Sequence, residues 1–383
     1  MNEFQDDGYP TTGPPWRRQR LEPLPTNRSV LTCQGRTRQS VHHFSARGAC
    51  GQPLRYIQEL SITGLTSNPT IFDHAIKNSN DYDDVIRRKL DEGKSGEVLF
   101  FELALEDLRQ AADLFRPVYD RTDNVDGWVS LEVSPLLAHN TTGTLAAAKA
   151  LHNRAARPNL FIKIPGTGAG LPAIEEAIFA GIPVNVTLLF SGKQYVAAAE
   201  AYMRGVERRI AAGLNPDVAS VASLFVSRWD VAVAEKVPEI LRNQLGIAIA
   251  KDAYEMYRTL LDSARWQRIE NAGARPQRLL WASTGTKDPN ASNILYVQAL
   301  ALPSTINTMP EATLNALAAH PEFGEAPRET SDKILTEFAI AGIDTEAVAI
   351  QLLGEGVESF AKSWNDLLDC IASKSVALKT VAA

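Results

Sequence analysis

Cysteine is scarce. Cys33, Cys50 and Cys370 are the whole complement, and they form neither a metal-binding spacing nor a disulfide framework. Such a chain suits a reducing compartment, and a cytoplasmic location is the expectation. Long apolar runs are missing too. No stretch of about 18 apolar residues exists, so no membrane span is expected. Met1–Arg20 is polar and rich in proline and arginine, without the apolar heart of a secretory signal. An excess of positive charge is absent as well. The net charge of −6 speaks against nucleic acid as a partner. What is there is ordinary globular composition, 45% hydrophobic and 22% charged over 383 residues. That suffices for one large α/β domain or two small ones.

Residues 1–50 stand apart from the rest. They cluster Pro, Arg, Gly, Ser, Thr and Gln without apolar periodicity. The expectation for them is disorder, or a stretch read in a shifted frame, ahead of a patterned domain over 51–383. Within that domain Leu54, Ile57 and Leu60 fit one face of a short helix. Ile62–Ser67 then reads as a strand running into Asn68-Pro69. Helical patterns cover 81–92 and 96–119, the second with a broad apolar stripe from Phe100 to Phe115. Trp128–Val133 is a strand and 144–154 a helix. The run Leu160-Phe-Ile-Lys-Ile-Pro165 is a strand, followed by a helix at 169–180. Val184–Phe190 and Ser220–Val226 are strands flanking a helix at 192–212. Two helices in succession are expected at 229–244 and 248–269. Leu279–Ser283 and Ser304–Thr308 are strands around a short helix at 294–301, and the tail is helical at 331–341 and 345–371.

From Ile62 onward every strand pattern is followed by helix. That alternation means a parallel sheet with right-handed crossovers. Seven visible strands fit an eight-stranded (β/α)8 barrel whose first strand is atypical or missing and would lie before Gly51. A doubly wound open sheet is the alternative.

The apolar strand around Lys163 is the pivot. A lysine is seldom fully buried unless its charge is compensated. Desolvation in general disfavours an ammonium, and a neutral amine condenses with ketones and aldehydes. Taken alone, Lys163 also reads as a strand-end lysine that snorkels to solvent. Its neighbours argue otherwise. In a parallel barrel the chemistry sits at the C-terminal strand ends. There the sequence places Asn68, Glu132, Lys163, Asn185 with Thr187, Ser223 with Arg228, and Ser283 followed by Lys287. Each alone has a bland explanation, such as turn formation by Asn68 or strand preference of Thr187. Together they suit imine chemistry. Lys163 attacks a ketone, and the resulting iminium is an electron sink for carbon–carbon cleavage. Glu132 shuttles protons through a water held by Thr187. Asn68 and Asn185 grip hydroxyls, while Arg228 and Lys287 take a phosphate.

These residues also carry a family resemblance. Gly64-Leu-Thr-Ser-Asn-Pro-Thr-Ile-Phe72 resembles the transaldolase signature. Phe161-Ile-Lys-Ile-Pro165 resembles its Schiff-base strand, and Asn185–Ser191 and Ser223–Arg228 the strands that follow. Ala282–Lys287 with Asn307-Thr-Met-Pro310 resembles the longer-chain bacterial branch. The resemblance runs from about residue 51 to the C-terminus. It implies a barrel of the class I aldolase type, with no cofactor and no metal. It implies transfer of a dihydroxyacetone unit from sedoheptulose 7-phosphate to glyceraldehyde 3-phosphate. The products are erythrose 4-phosphate and fructose 6-phosphate, in the non-oxidative pentose phosphate pathway. The partners are phosphorylated ketoses and aldoses, and the enzyme is a monomer or homodimer. By position, Lys163 is the Schiff-base lysine, and Glu132 and Thr187 hold the catalytic water. Asn68, Asn185, Ser223 and Ser283 line the substrate, and Arg228 and Lys287 bind its phosphate.

One departure stands out. The family carries an aspartate at the end of the first barrel strand, which takes the C4 hydroxyl proton during cleavage. Family spacing puts it near Val41, where the sequence reads Gln39-Ser-Val-His-His-Phe-Ser-Ala-Arg-Gly48 without any acid. His42 and His43 are the groups there able to accept a proton. Two alternatives follow: a sugar-phosphate-binding relative that forms the imine but cleaves slowly, and a fructose 6-phosphate aldolase that releases the triose to water. A dinucleotide-binding reading of Gly166-Thr-Gly-Ala-Gly170 fails at Leu171, where the third glycine of the fingerprint belongs.

Overall fold

The computed structural model describes residues 37–42, 51–319 and 330–380. Eight parallel strands close into one barrel in chain order. They are β1 (Thr37–His42), β2 (Gly64–Thr66), β3 (Trp128–Glu132), β4 (Leu160–Pro165), β5 (Val184–Leu189), β6 (Ser220–Phe225), β7 (Arg278–Ala282) and β8 (Thr305–Pro310). The strand that the apolar pattern left unplaced is β1, inside the segment of odd composition. Its register runs along the whole of β8, from Thr37 beside Thr305 to His42 beside Pro310. On its other side Val41 and His42 pair with Leu65 and Thr66. The barrel therefore has no open edge at this seam, and the hazard of an unpaired edge strand does not arise. His43, Cys33 and Cys50 lie outside the described residues.

Most helices fall where periodicity puts them, but helices Pro69–Asn78 and Glu311–Ala319 lie outside the expected patterns, and the region 229–269 breaks differently for local reasons. The pattern at 229–244 is not one helix. It ends at Val233, and a short 3-10 turn at Glu239–Leu241 follows Pro238. The next helix runs Leu245–Leu261. A separate one starts at Ala264, where the Ser263 hydroxyl accepts from Trp266 N at 3.2 Å. A serine in that role opens a helix. Asn140 and Ser191 do the same for the helices that follow β3 and β5.

Two apolar layers surround the strands. Alternate residues such as Val129, Leu131, Ile162, Ile164, Val186 and Trp281 pack outward against the helices. The intervening Trp128, Phe161, Val221, Leu280 and Ile306 meet inside the barrel. Trp128 and Phe161 stack there with ring centroids 4.2 Å apart. This filled floor leaves the opposite end, at the strand C-termini, as the place for chemistry.

One buried carboxylate fastens that end. Asp230, just beyond β6, accepts from Leu245 N (2.9 Å), Gly246 N (3.2 Å) and the Tyr296 hydroxyl (2.9 Å). Burial pushes its pKa up to about 6 against the pull of these donors. It thus ties the start of helix Leu245–Leu261 to the segment after β7. Asp230→Ala strands three donors in the interior. Urea unfolding should report a loss of about 3 kcal/mol, from roughly 1–3 kcal/mol for each orphaned group with partial relaxation. A loss under about 1 kcal/mol would mean that solvent reaches these donors.

Candidate active site

Glu132 ends β3 and Lys163 lies on β4, side by side in register. Asn185 of β5 is in register with Lys163 in turn. Because side chains alternate along a strand, one level of the barrel interior carries all three. Lys163 Nζ lies 3.4 Å from Glu132 Oε2. The lysine is 3% exposed and the glutamate 6%. Burial raises the Glu132 pKa, and the neighbouring ammonium opposes that rise. A carboxyl held above its ordinary range near an amine is suited to pass protons at working pH.

Beside this pair runs a chain of buried hydrogen bonds. The Ser223 hydroxyl of β6 donates to Asn185 Oδ1 at 2.7 Å. Asn185 Nδ2 donates to the Ser130 hydroxyl at 3.1 Å. The chain fixes which way the Asn185 amide faces. Thr187 is fully buried, and its hydroxyl has no hydrogen-bond partner among the described residues. A buried polar group of that kind is costly to a fold and calls for an explanation.

The strand-end loops add the remaining groups. A bulge in β5 between Val186 and Leu189 gives Leu188 a φ of 58°. Bulges of this type re-aim side chains beside active sites. Arg228, past the end of β6, lies over the Phe225 ring at 5.2 Å and the Phe360 ring at 5.9 Å. Burial pulls its guanidinium below the ordinary value, with Glu355 opposing. Ser283 follows β7 with a φ of 56° and shares a 2.8 Å hydrogen bond with the Ser227 hydroxyl. Thr284 holds the same loop by donating to Asn307 Oδ1 and to the Thr308 carbonyl, each at 2.9 Å.

Two of the expected residues stand further out. Asn68 spends its Oδ1 on Ile71 N at 3.0 Å, capping helix Pro69–Asn78. Lys287 is exposed on the loop after β7. The glycine-rich turn after β4 has a packing explanation. A Cβ on Gly170 would come within 2.0 Å of the Pro165 carbonyl oxygen. The Thr167 hydroxyl also occupies the adjacent helix start, accepting from Gly170 N at 3.0 Å. No group of His, Cys, Asp and Glu among the described residues is arranged to hold a metal ion. No helix among them is long and apolar enough to cross a membrane.

A lysine and a glutamate buried together at the mouth of a closed parallel barrel narrow the field, and comparison with known proteins completes the assignment. The family model for transaldolase/fructose-6-phosphate aldolase matches residues 44–371. The chain belongs to the transaldolase family. A transaldolase of a Parafrankia species is 46% identical over 330 residues, covering 81% of this chain and 88% of that protein. The transaldolase of Thermobifida fusca is 44% identical over 339 residues, covering 85% and 92%. Transaldolase 2 of a Nostoc species is 39% identical over 360 residues, covering 86% and 93%. The match to the transaldolase model begins after β1, so the strand that closes the barrel lies outside it.

Some site groups are not evident from strand ends alone. Ser130 sits two residues before Glu132, so period-two alternation was the available signal for it. Ser227 and Phe225 share the β6 end with the expected Ser223 and Arg228. Phe360 gave no such signal, since it reaches the site from the helix Thr345–Thr380.

Proposed function

We propose that this protein is a working transaldolase whose covalent step takes place on Lys163. The amine adds to the C2 ketone of a phosphorylated ketose and expels water, giving an iminium. As the C3–C4 bond breaks, its electron pair moves into that iminium to give an enamine, and the C4 hydroxyl yields its proton to a base and becomes the carbonyl of the departing aldose. The bound three-carbon enamine then adds to the aldehyde of the acceptor. Water finally releases the new ketose and regenerates the amine. Glu132 moves protons to and from the carbinolamine through a water that it shares with the Thr187 hydroxyl. Asn185, Ser223 and the Nδ2 of Asn68 hold hydroxyls of the triose. Arg228 takes the phosphate, with Ser283 and Lys287 lining the approach. The supporting observation is the contact at 3.4 Å between two side chains that are both almost wholly buried. A buried pair of opposite charges is rarely worth its desolvation for stability alone.

The test is a pair of measurements on one preparation. Borohydride with fructose 6-phosphate should fix a three-carbon adduct on Lys163. Turnover of fructose 6-phosphate should require erythrose 4-phosphate as acceptor. An adduct without transfer would favour the impaired relative, a reading supported by the lack of any carboxylate in the β1 sequence Thr-Arg-Gln-Ser-Val-His. Triose release without acceptor would favour the aldolase.

Thr187→Val separates fold from function. The change removes a buried hydroxyl that has no partner in the protein and keeps the branched shape, so the melting temperature should not fall. Transfer should drop about 10²-fold, at the lower end of what positioned proton transfer contributes. Equal loss of stability and rate would count against a role in holding the water.

A further inference from the structure

The C-terminal helix Thr345–Thr380 crosses the mouth of the barrel rather than joining the outer ring throughout. At Gly356 it passes so close that an added Cβ would meet Leu188 Cδ2 at 3.0 Å and Arg228 Nη1 at 3.4 Å. One turn later it delivers Phe360, which is 7% exposed. Lys163 Nζ lies 5.7 Å from the centre of that ring, and the Arg228 guanidinium carbon 5.9 Å. Phe225 packs against it with centroids 6.4 Å apart. A single benzene ring thus neighbours both cations of the site. The negative face of an aromatic ring attracts a cation within about 6 Å.

We propose that Phe360 is a positioning residue that holds Arg228 for the phosphate of the substrate. It thereby sets the spacing between the phosphate end and the lysine end. This rests on the reading of Lys163 and Arg228 given above. Among the described residues Arg228 has no hydrogen-bonded carboxylate, and the Glu355 charge opposes the effect of burial on it. Without a salt bridge, the rings of Phe225 and Phe360 are what orient the guanidinium. Phe225 comes from the same strand end as Arg228, so it moves with it. Phe360 is the fixed reference supplied from a separate element. The chemical class of ligand this favours is a ketose with phosphate at the end remote from its carbonyl. Such a molecule spans the ring, with its reacting carbon at Lys163 and its dianion at Arg228.

The experiment uses inorganic phosphate as a competitive inhibitor, because it probes the Arg228 end alone. Phe360→Leu fills space but lacks a π-face. It should raise both the phosphate inhibition constant and the KM for fructose 6-phosphate about five- to tenfold. Borohydride trapping of dihydroxyacetone, which lacks phosphate, should change less than twofold. A ring of the same shape with its charge distribution inverted, pentafluorophenylalanine placed at 360, should behave like leucine. If it behaves like phenylalanine, the ring acts by packing only and the proposal is overturned. The proposal is also overturned if Phe360→Leu leaves phosphate inhibition unchanged while Arg228→Ala abolishes it. If Arg228→Ala has no effect on phosphate inhibition of the natural chain, the failure belongs to the phosphate-site assignment itself. The pentafluoro variant keeps the test decisive should Phe360→Leu fold poorly.

Discussion

Lys163→Arg protein is expected to give no borohydride-stable adduct with fructose 6-phosphate and to lose transfer by on the order of 10⁴-fold or more. Arginine is the informative replacement. It keeps a positive partner for Glu132, so the buried carboxyl is not left alone. A guanidinium does not deprotonate at accessible pH and cannot serve as the nucleophile. The extra volume is not negligible at a site with 3% exposure. Folding should therefore be checked by the melting curve, and Lys163→Met is the smaller companion. Met leaves Glu132 without its cation, and burial has already raised that carboxyl's pKa. Glu132 in Lys163→Met should accordingly take up a proton rather than remain a buried anion, which limits the cost to the fold. Both variants should be folded and both should be untrappable. A reducible adduct surviving in either one places the imine on another amine and overturns the proposed mechanism.

How much of this site was legible in the sequence depends on where each residue lies in the chain. Glu132, Lys163, Asn185 and Ser223 each interrupt a short apolar strand, and a polar residue in such a strand needs a reason. Their place at the C-terminal ends of successive strands then groups them at one end of a parallel barrel. Ser130 also interrupts its strand but is small, and a serine in a strand attracts no notice by itself. Helix breaks at Pro238 and Ser263 were visible as residue types, yet the apolar stripe across them was continuous enough to mask both. Phe360 was out of reach. Its role depends on where a helix far along the chain crosses the barrel mouth, and nothing in its own helical periodicity distinguishes it from core. β1 was hidden for the opposite reason. Thr-Arg-Gln-Ser-Val-His has little apolar content, and only its register with β8 and β2 identifies it as a barrel strand.

That register supports the second large effect. His42→Asp is expected to raise the transfer rate about 10²-fold over the natural chain, within the range for a positioned general base. Cleavage requires something to take the proton from the C4 hydroxyl as the C3–C4 bond breaks. Glu132 is the group proposed for the proton traffic of imine formation on the neighbouring strands. No carboxylate lies within β1. Position 42 is the last residue of that strand, level with Thr66 and Pro310. Thr66 in turn shares a 3.3 Å hydrogen bond with Thr308 of β8, which is in register with Ser40. β2 leads from Thr66 directly toward Asn68, one of the groups proposed to hold the triose. An acid at 42 would thus stand at the same strand end as the substrate. Val41→Asp is the control, because position 41 pairs with Leu65, a buried member of the outer apolar layer. Charge placed at that level should lower stability and give no gain in rate. Total borohydride-fixed adduct on Lys163 should be the same in the natural chain and in His42→Asp, since the six-carbon imine forms before the proton is needed, while the three-carbon share of it should rise in His42→Asp. A gain in trapping with no gain in transfer would reassign the slow step to imine formation. Equal rates from all three proteins would mean that the C4 proton already has a base elsewhere in the barrel.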